Sequence, residues 1–481
     1  RENEVIVRQG DIITVDVQRK LISLDVELTT RSGGRVIWKT VLGQFILTVS
    51  TFLIFFLYLF LFRRVVFDDN KMVLLISLLF LAVIGLYGIA LRAALLDMYV
   101  VPVAIVGILL TVIFDSRVAF FGALTLALLG SHFLNYNFAF TFSTVFASTL
   151  GIFSVRDIRN RGQFFISASI VFLGYMTVLS ANFLLQNTPI ERLTNETIFI
   201  LMNSVLLLLA YPALWIFERV FGVTTDLTLL ELSDTNHPLL KELSLKAPGT
   251  FNHVLQVANL AEAAAARIGA NALLTRVGAL YHDIGKMVKP EYFVENQRGG
   301  VNPHDSLKPR MSALIIANHV KEGLDLAKKY RLPKEVQDFI PMHHGTTRIE
   351  YFYHRANSQK KEGDSAILES EFRYPGPSPS SRETAVLMLA DSIEAASRSM
   401  VNPNHRRLQA LIESIVDARR EDGQLDTTNL TFSDLNMIKE SLLNILLGIY
   451  HVRVKYPGDE EADLSKEELQ LGNDTTHALD G

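Results

Sequence analysis

The chain contains no cysteine. That absence excludes a disulfide framework, a thiolate nucleophile, an Fe–S cluster and a Cys-ligated zinc site. Any metal must be held by His, Asp or Glu, and 12 histidines are present. A charge of one sign is also missing. Lys and Arg total 46 against 50 Asp and Glu, a net of −4, so nothing points to DNA or RNA polymers as partners. There is no GxxxxGK[ST] and no GxGxxG in a strand–helix setting, which leaves an NTPase or dinucleotide-binding fold unsupported. Internal repeats are lacking and strand signals are scarce. What is present is apolar surface: 49% hydrophobic residues and mean hydropathy +0.25 exclude a disordered chain, and 481 residues suit two or three domains.

The average hides two unlike halves. Residues 42–62, 72–91, 98–114, 118–133, 138–153, 164–184 and 197–217 are seven charge-poor apolar runs, the middle ones shorter. A bilayer core needs about 20 such residues, so the segment 39–217 reads as seven transmembrane helices. A transporter is disfavoured, because the spans carry almost no charge to mark a path. Arg63, Arg64 and Lys71 lie in the first loop, Arg117 in the third, and Arg156, Arg159 and Arg161 in the fifth; the even-numbered loops carry at most one basic residue. The positive-inside rule then puts the N-terminus outside the cell and everything after Phe217 in the cytoplasm. Arg31, Arg35 and Lys39 oppose this, and the three later loops outvote them. The first run is too long for a signal peptide and no cleavage site follows it. The chain starts at Arg1, which reads as a fragment of a longer protein. Alternation at Val5-Ile6-Val7 and Asp11-Ile12-Ile13-Thr14-Val15 predicts that residues 1–38 are a short strand-rich extracellular remnant.

Beyond Phe217 the pattern is helical and polar. Residues 218–245, with Leu227, Leu229, Leu230 and Leu232, read as an amphipathic linker near the membrane surface, with an ordinary packing helix as the alternative. Residues 246–456 read as a soluble helical domain, with helices over 253–268, 272–284, 312–330, 385–399 and 433–451. Residues 357–382 form a polar insert whose Tyr374-Pro375-Gly376-Pro377-Ser378-Pro379 cannot be helix. The acidic stretch 457–481 reads as a disordered tail.

The histidines of this half are clustered in kind. His253 opens a helix; His282-Asp283 closes one in Leu280-Tyr281-His282-Asp283-Ile284-Gly285-Lys286. His319 and Asp391 lie within apolar helices, and His343-His344 follows Pro341-Met342. Ionisable groups among apolar neighbours are costly unless partnered. A metal ion removes that cost by taking neutral imidazoles and carboxylates as ligands. Two adjacent ligands cannot face one way along a helix, so the doublets belong at helix ends.

His253…His282-Asp283…Asp391 resembles the HD superfamily of metal-dependent phosphohydrolases, named for the His-Asp doublet. His319 and His343-His344 resemble its two-metal subset. Together with seven spans and an outward N-terminus, the pattern resembles the seven-transmembrane receptors with an intracellular HD hydrolase, whose known members are PgpH-type cyclic-di-AMP phosphodiesterases. The resemblance covers about residues 1–456. It implies an all-α chain, seven transmembrane helices followed by a cytoplasmic HD domain, in the cell membrane. It implies one metal on His253, His282, Asp283 and Asp391 and a second on His319, His343 and His344, with Asp283 bridging. Two cations about 4 Å apart need such an anionic bridge. A hydroxide between them would open cyclic di-AMP to linear pApA. N/O ligands without sulfur suit Fe or Mn better than Zn.

Lys286, three residues past Asp283, is expected to contact the phosphate or protonate the leaving oxygen. His304, Arg310, Thr346 and Tyr353 are weaker candidates for substrate contacts. Implied partners are cyclic di-AMP, the bilayer, an unidentified extracellular signal and, by family habit, a second copy of the chain. The rival readings are a catalytically silent nucleotide-binding membrane receptor and an HD hydrolase of cyclic di-GMP or an alarmone. Gly345-Thr346-Thr347-Arg348 stands where the cyclic-di-GMP class carries Gly-Tyr-Pro after its His pair. Alarmone hydrolases use one metal, which leaves three histidines unexplained.

Overall fold

A computed structural model describes residues 5–8, 10–31, 33–93, 96–156, 158, 160–186, 189–297, 299, 302–360 and 366–450. These residues are helical throughout, and the chain divides into two compact units, Arg1–Thr225 and Asp226–Gly481.

The first unit runs α1 (Val15–Arg31), α2 (Gly33–Phe62), α3 (Asn70–Arg92), α4 (Val103–Ile113), α5 (Ser116–Phe133), α6 (Phe138–Ser154), α7 (Gln163–Gln186), α8 (Ile190–Leu206) and α9 (Ala210–Phe221). Trp38–Phe62, Asn70–Arg92, Ser116–Phe133, Gln163–Gln186 and Ile190–Phe221 are long and apolar enough to cross a bilayer. Met98–Ile113 and Phe138–Ser154 are shorter apolar helices. Short polar residues start several of them. Asp69 accepts from the backbone N–H of Lys71 and Met72, Asp115 from Arg117 and Val118, and Asn137 from Phe140. Arg63 meets Asp115 at 2.7 Å, tying the end of α2 to the start of α5.

The strand-rich N-terminus is corrected. Residues 5–7 and 11–14 are in no strand, and Val15 begins a helix. A strand needs a partner for its backbone groups, and the one β-bridge among the described residues, Arg348 to Arg373, lies far along the chain.

The second unit comprises α10 (Asp226–Leu232), α11 (Pro238–Lys246), α12 (Pro248–Arg267), α13 (Ala272–Tyr281), α14 (Pro309–Lys329), α15 (Phe339–Met342), α16 (Glu350–Gln359), α17 (Arg382–Arg398), α18 (His405–Glu421) and α19 (Phe432–Ile449). The five helices expected from periodicity are present with ends moved by a few residues, the largest shift being the start of α12. The segment read as a surface linker is different. Leu229, Leu232, Leu239, Leu240 and Leu243 are buried in the same core as Val254, Val257, Leu280 and Leu389. Tyr281 donates its hydroxyl to the carbonyl of Leu232 at 2.9 Å, clamping α10 onto α13. The alternating leucines thus face protein rather than a membrane surface. The insert begins within α16, which runs to Gln359, and from Lys360 to Ser381 it is non-helical where described, save a single 3-10 turn at Glu369–Phe372. The acidic tail lies outside the described residues.

Candidate metal centre and catalytic cleft

Five separate elements deliver the histidines and aspartates to one place. His253 sits in the second turn of α12, and Asp391 lies mid-way along α17. After Tyr281 the helix ends. Asp283, at φ −108° and ψ 15°, starts a 3-10 turn over Ile284–Val288, and this break in the helix brings His282 Nε2 and Asp283 Oδ2 within 3.2 Å of one another. His343 and His344 follow α15 in the same manner. Gly285 is what lets the doublet seat on α14: a Cβ there would stand 1.9 Å from the carbonyl oxygen of His319 and 2.6 Å from the nitrogen of Gly323.

The side chains form two groups with ligand atoms mutually within 4.8 Å: Asp283, His319, His343 and His344; and His253, His282 and Asp391. Asp283 faces both. Its Oδ2 is 3.2 Å from His282 Nε2 and 3.6 Å from His253 Nε2. Its Oδ1 is 3.4 Å from His319 Nε2 and 3.6 Å from His343 Nε2. One oxygen therefore points at each group.

The rings are held from behind. Nδ1 of His282, His319 and His343 bonds the carbonyl of Ala279 (2.7 Å), Ile316 (2.6 Å) and Ile340 (2.7 Å). A carbonyl only accepts, so Nδ1 carries the hydrogen and Nε2 presents a lone pair to the centre. His253 Nδ1 is held by Glu394 at 2.6 Å. These are the arrangements that orient metal-ligating histidines. His282 Nε2, His319 Nε2, His343 Nε2 and Asp283 Oδ1 are buried and make no hydrogen bond with any described residue. Several buried lone pairs converging without donors are costly, and a cation supplies what they lack. The donor set, imidazole and carboxylate without sulfur, fits divalent metal ions.

The electrostatics differ across the cluster. Burial opposes protonation of His253 and His282, but hydrogen bonds to Asp391 and Glu394 in the first case, and the negative charges of Asp283 and Asp391 in the second, carry them up to about 9 and about 10. Burial and the neighbouring His282 push His343 down to about 3, and burial lowers His319. Burial would raise Asp283 and Asp391, but Lys286 and His282 hold the first, and His253 and His282 the second, well below the usual carboxylate range.

Beside the cluster opens a cleft of about 470 Å³ whose walls include Lys286, Phe293, His304, His319, His344 and Tyr374. Lys286 Nζ lies 2.7 Å from Asp283 Oδ2 and 3.1 Å from Glu295 Oε1, and over the ring of Phe293. His304 is buried in the cleft wall, its Nε2 donating to the carbonyl of Tyr292 and its ring against Phe352. The other candidates stand elsewhere. Arg310, with 73% of its side chain exposed, pairs with Glu371 on a separate groove. Thr346 is tied to Gln424 through both its backbone N–H and its hydroxyl. Tyr353 lies under the guanidinium of Arg348 and against Phe372. Neither Thr346 nor Tyr353 is among the residues lining the cleft.

Three residues of the site escape sequence reasoning. Glu394 has a signal, three residues past Asp391 on the same helical face. Glu295 and Tyr374 have none: Glu295 arrives through a run of 3-10 turns, and Tyr374 stacks on His344 at 4.0 Å from inside the Pro-rich insert.

Residues 38–225 match the family model described as 7TM receptor with intracellular HD hydrolase, and residues 250–396 match the HD domain model. The cyclic-di-AMP phosphodiesterase PgpH of Bacillus subtilis is 36% identical over 474 residues, 95% of this chain and 65% of that protein. PgpH of Listeria monocytogenes is 37% identical over 372 residues, 76% of this chain and 51% of that protein. A crystal structure of the L. monocytogenes PgpH HD domain in complex with cyclic-di-AMP is 44% identical, with TM-score 0.43, covering 45% of this chain and 100% of that one. The chain thus spans less than two thirds of the length of both curated relatives. In its two matched regions and in these relatives, the chain is similar to the seven-transmembrane receptors with an intracellular HD hydrolase.

Proposed function

We propose that this protein is a membrane-embedded phosphodiesterase that hydrolyses cyclic di-AMP to linear pApA with two divalent cations, Mn or Fe, at the HD centre. The observation that carries the reading is Asp283, whose two oxygens face two different ligand groups. His253, His282 and Asp391 would hold one cation, His319, His343 and His344 the other, with Asp283 shared. Bound divalent cations supply Lewis acidity at a phosphoryl oxygen and lower the pKa of coordinated water. The names of the two curated relatives support cyclic di-AMP as substrate.

The chain's own groups do the rest. Asp283 and Asp391 bring the negative charge that keeps two cations near one another. Lys286 is a fixed positive charge: burial opposes its protonation, but Asp283 and Glu295 outweigh burial and raise its pKa. A strongly held proton makes a poor general acid, so Lys286 is assigned to phosphate binding rather than leaving-group protonation. The aromatic walls of the cleft, Phe293 and Tyr374, offer faces to a purine.

The chain crosses the bilayer seven times in this reading. The helix α4 is short, but nearly every residue on it is buried by its neighbours, so it has no lipid-facing length to match. Basic loops put the HD domain in the cytoplasm and the N-terminus outside. Residues 1–38, 39–217, 226–456 and 457–481 are then an outer remnant, the membrane domain, the catalytic domain with the helices α10 and α11 that complete its core, and a tail.

The test uses the purified full chain in detergent, incubated with cyclic di-AMP, cyclic di-GMP and GTP in turn, with metal content measured alongside products. Expected are pApA formation that requires Mn or Fe, and its loss in Asp283→Ala. Turnover that survives chelation, or full metal occupancy with no phosphodiester cleaved, defeats the reading.

A further inference from the structure

The membrane unit has a cavity of its own. It measures about 130 Å³ and lies where the link from α3 to the Met98–Val100 turn, the α5–α6 link and the α7–α8 link meet. This is the end of the helices opposite the one where Arg63 meets Asp115. Asp97, Glu196 and Arg192 reach it. Arg192 Nε and Glu196 Oε1 pair at 2.8 Å, with Glu196 largely buried. One oxygen of Asp97 accepts from the backbone N–H of Tyr99. Two carboxylates against one guanidinium leave the cavity one negative charge in excess.

Its other walls are aromatic and amide. Tyr99, Phe140 and Phe183 supply rings, the first two with centroids 5.4 Å apart, and Asn137, Asn182 and Gln186 supply hydrogen-bonding amides. Tyr99 is buried to nine tenths. Among the described residues its hydroxyl is hydrogen-bonded to Ser143 Oγ at 3.5 Å, a long bond, and that serine also lies 3.0 Å from Phe140 O. Carboxylates set among aromatic faces are the chemistry that recognises ammonium groups, by charge pairing and cation–π attraction.

We propose that this cavity binds a small organic ammonium ion. Its volume is close to the roughly 150 Å³ of an engineered cavity that holds benzene, so the group bound has on the order of six to eight non-hydrogen atoms. The ammonium comes either from a free amine or from the headgroup of a lipid. The site stands independently of the proposed hydrolysis and needs no catalysis to test it.

The probes are choline and ethanolamine, titrated into the full chain in detergent while its melting temperature and binding heat are followed. The uncharged isostere 3,3-dimethylbutan-1-ol serves as the control. Saturable stabilisation by either amine, and none by the isostere, is expected. Glu196→Gln keeps the hydrogen-bonding shape and removes the charge, and Phe183→Leu removes a ring. Each is expected to raise Kd roughly tenfold, with the ligand-free melting temperature held. Repetition in lipid discs separates the sources. Apparent choline affinity reduced by phosphatidylethanolamine, relative to phosphatidylglycerol alone, assigns a lipid headgroup; unchanged affinity assigns a free amine. No saturable effect of either amine, an equal effect of the isostere, or a Kd unmoved in both variants overturns the proposal.

Discussion

At the scale of single residues, the candidate ligands were legible because the alternatives are few. Without cysteine, buried metal chemistry falls to His, Asp and Glu, and those residues stand in apolar surroundings where isolation is costly. The groups that tune them were not legible. Glu394 acts through His253, holding Nδ1 at 2.6 Å while Nε2 faces the centre. Glu394→Gln keeps the shape and removes the charge that raises ligand basicity. We expect a loss of about 10- to 100-fold in metal affinity with the helical circular dichroism unchanged; wild-type affinity would show that His253 needs no such partner. Lys286 bears on the reaction differently. With its positive charge fixed between Asp283 and Glu295, Lys286→Gln should lower kcat by roughly 10²–10³-fold while metal content holds. A variant that turns over at the normal rate would remove Lys286 from the phosphate-binding role. Arg310, Thr346 and Tyr353 were suggested by residue type alone, and an ion pair, hydrogen bonds to the Gln424 amide and ring stacking engage them in turn.

At the scale of elements, the His-Asp doublet depends on where α13 stops. The helix ends at Tyr281, and the 3-10 turn that follows packs backbone to backbone on α14. Gly285 makes that approach feasible, since any Cβ would collide with main-chain atoms of His319 and Gly323 that cannot move aside. Gly285→Ala should therefore part Asp283 from His319, destabilise the second unit by roughly 1–3 kcal/mol or more, and cut metal content. Thermal melting with metal analysis decides it, and an alanine variant with normal metal occupancy would mean the turn can slide without cost. Periodicity was a good guide to helices that bury one face, such as α12 and α14, because the core imposes a 3.6-residue repeat. It misled at the N-terminus. The two-residue alternation at Val5–Val7 and Asp11–Val15 describes a strand only if another strand pairs with it, and a short alternating stretch next to a helical run says nothing about that partner. The helix α18 was missed because it is strongly polar, with Leu408, Ile412 and Val416 its only fully buried side chains.

At the scale of the whole molecule, the division into a charge-poor first part and a helical second part follows the sequence closely, because a bilayer and water select opposite compositions. The boundary between them does not. Composition changes at Phe217, and the leucines after it are compatible with a membrane surface or with a protein core; only the partners decide. Those partners are α12 and α13, and α10 and α11 complete their core through Leu229, Leu232, Leu239, Leu240 and Leu243. A catalytic domain begun at residue 246, where the helical pattern suggests, therefore loses five buried leucines and leaves apolar faces of α12 and α13 open to water. Each such side chain is worth about 2–5 kcal/mol when truncated in a core, against a total domain stability of about 5–15 kcal/mol. A fragment of residues 226–456 is expected to unfold in one cooperative urea transition. The fragment 246–456 is expected to show no such transition, or one at markedly lower urea, and to bind little metal, since His253 lies on α12, the helix whose packing is lost. Equal midpoints for the two fragments would place α10 and α11 outside the domain's cooperative unit and return residues 218–245 to the role of a linker.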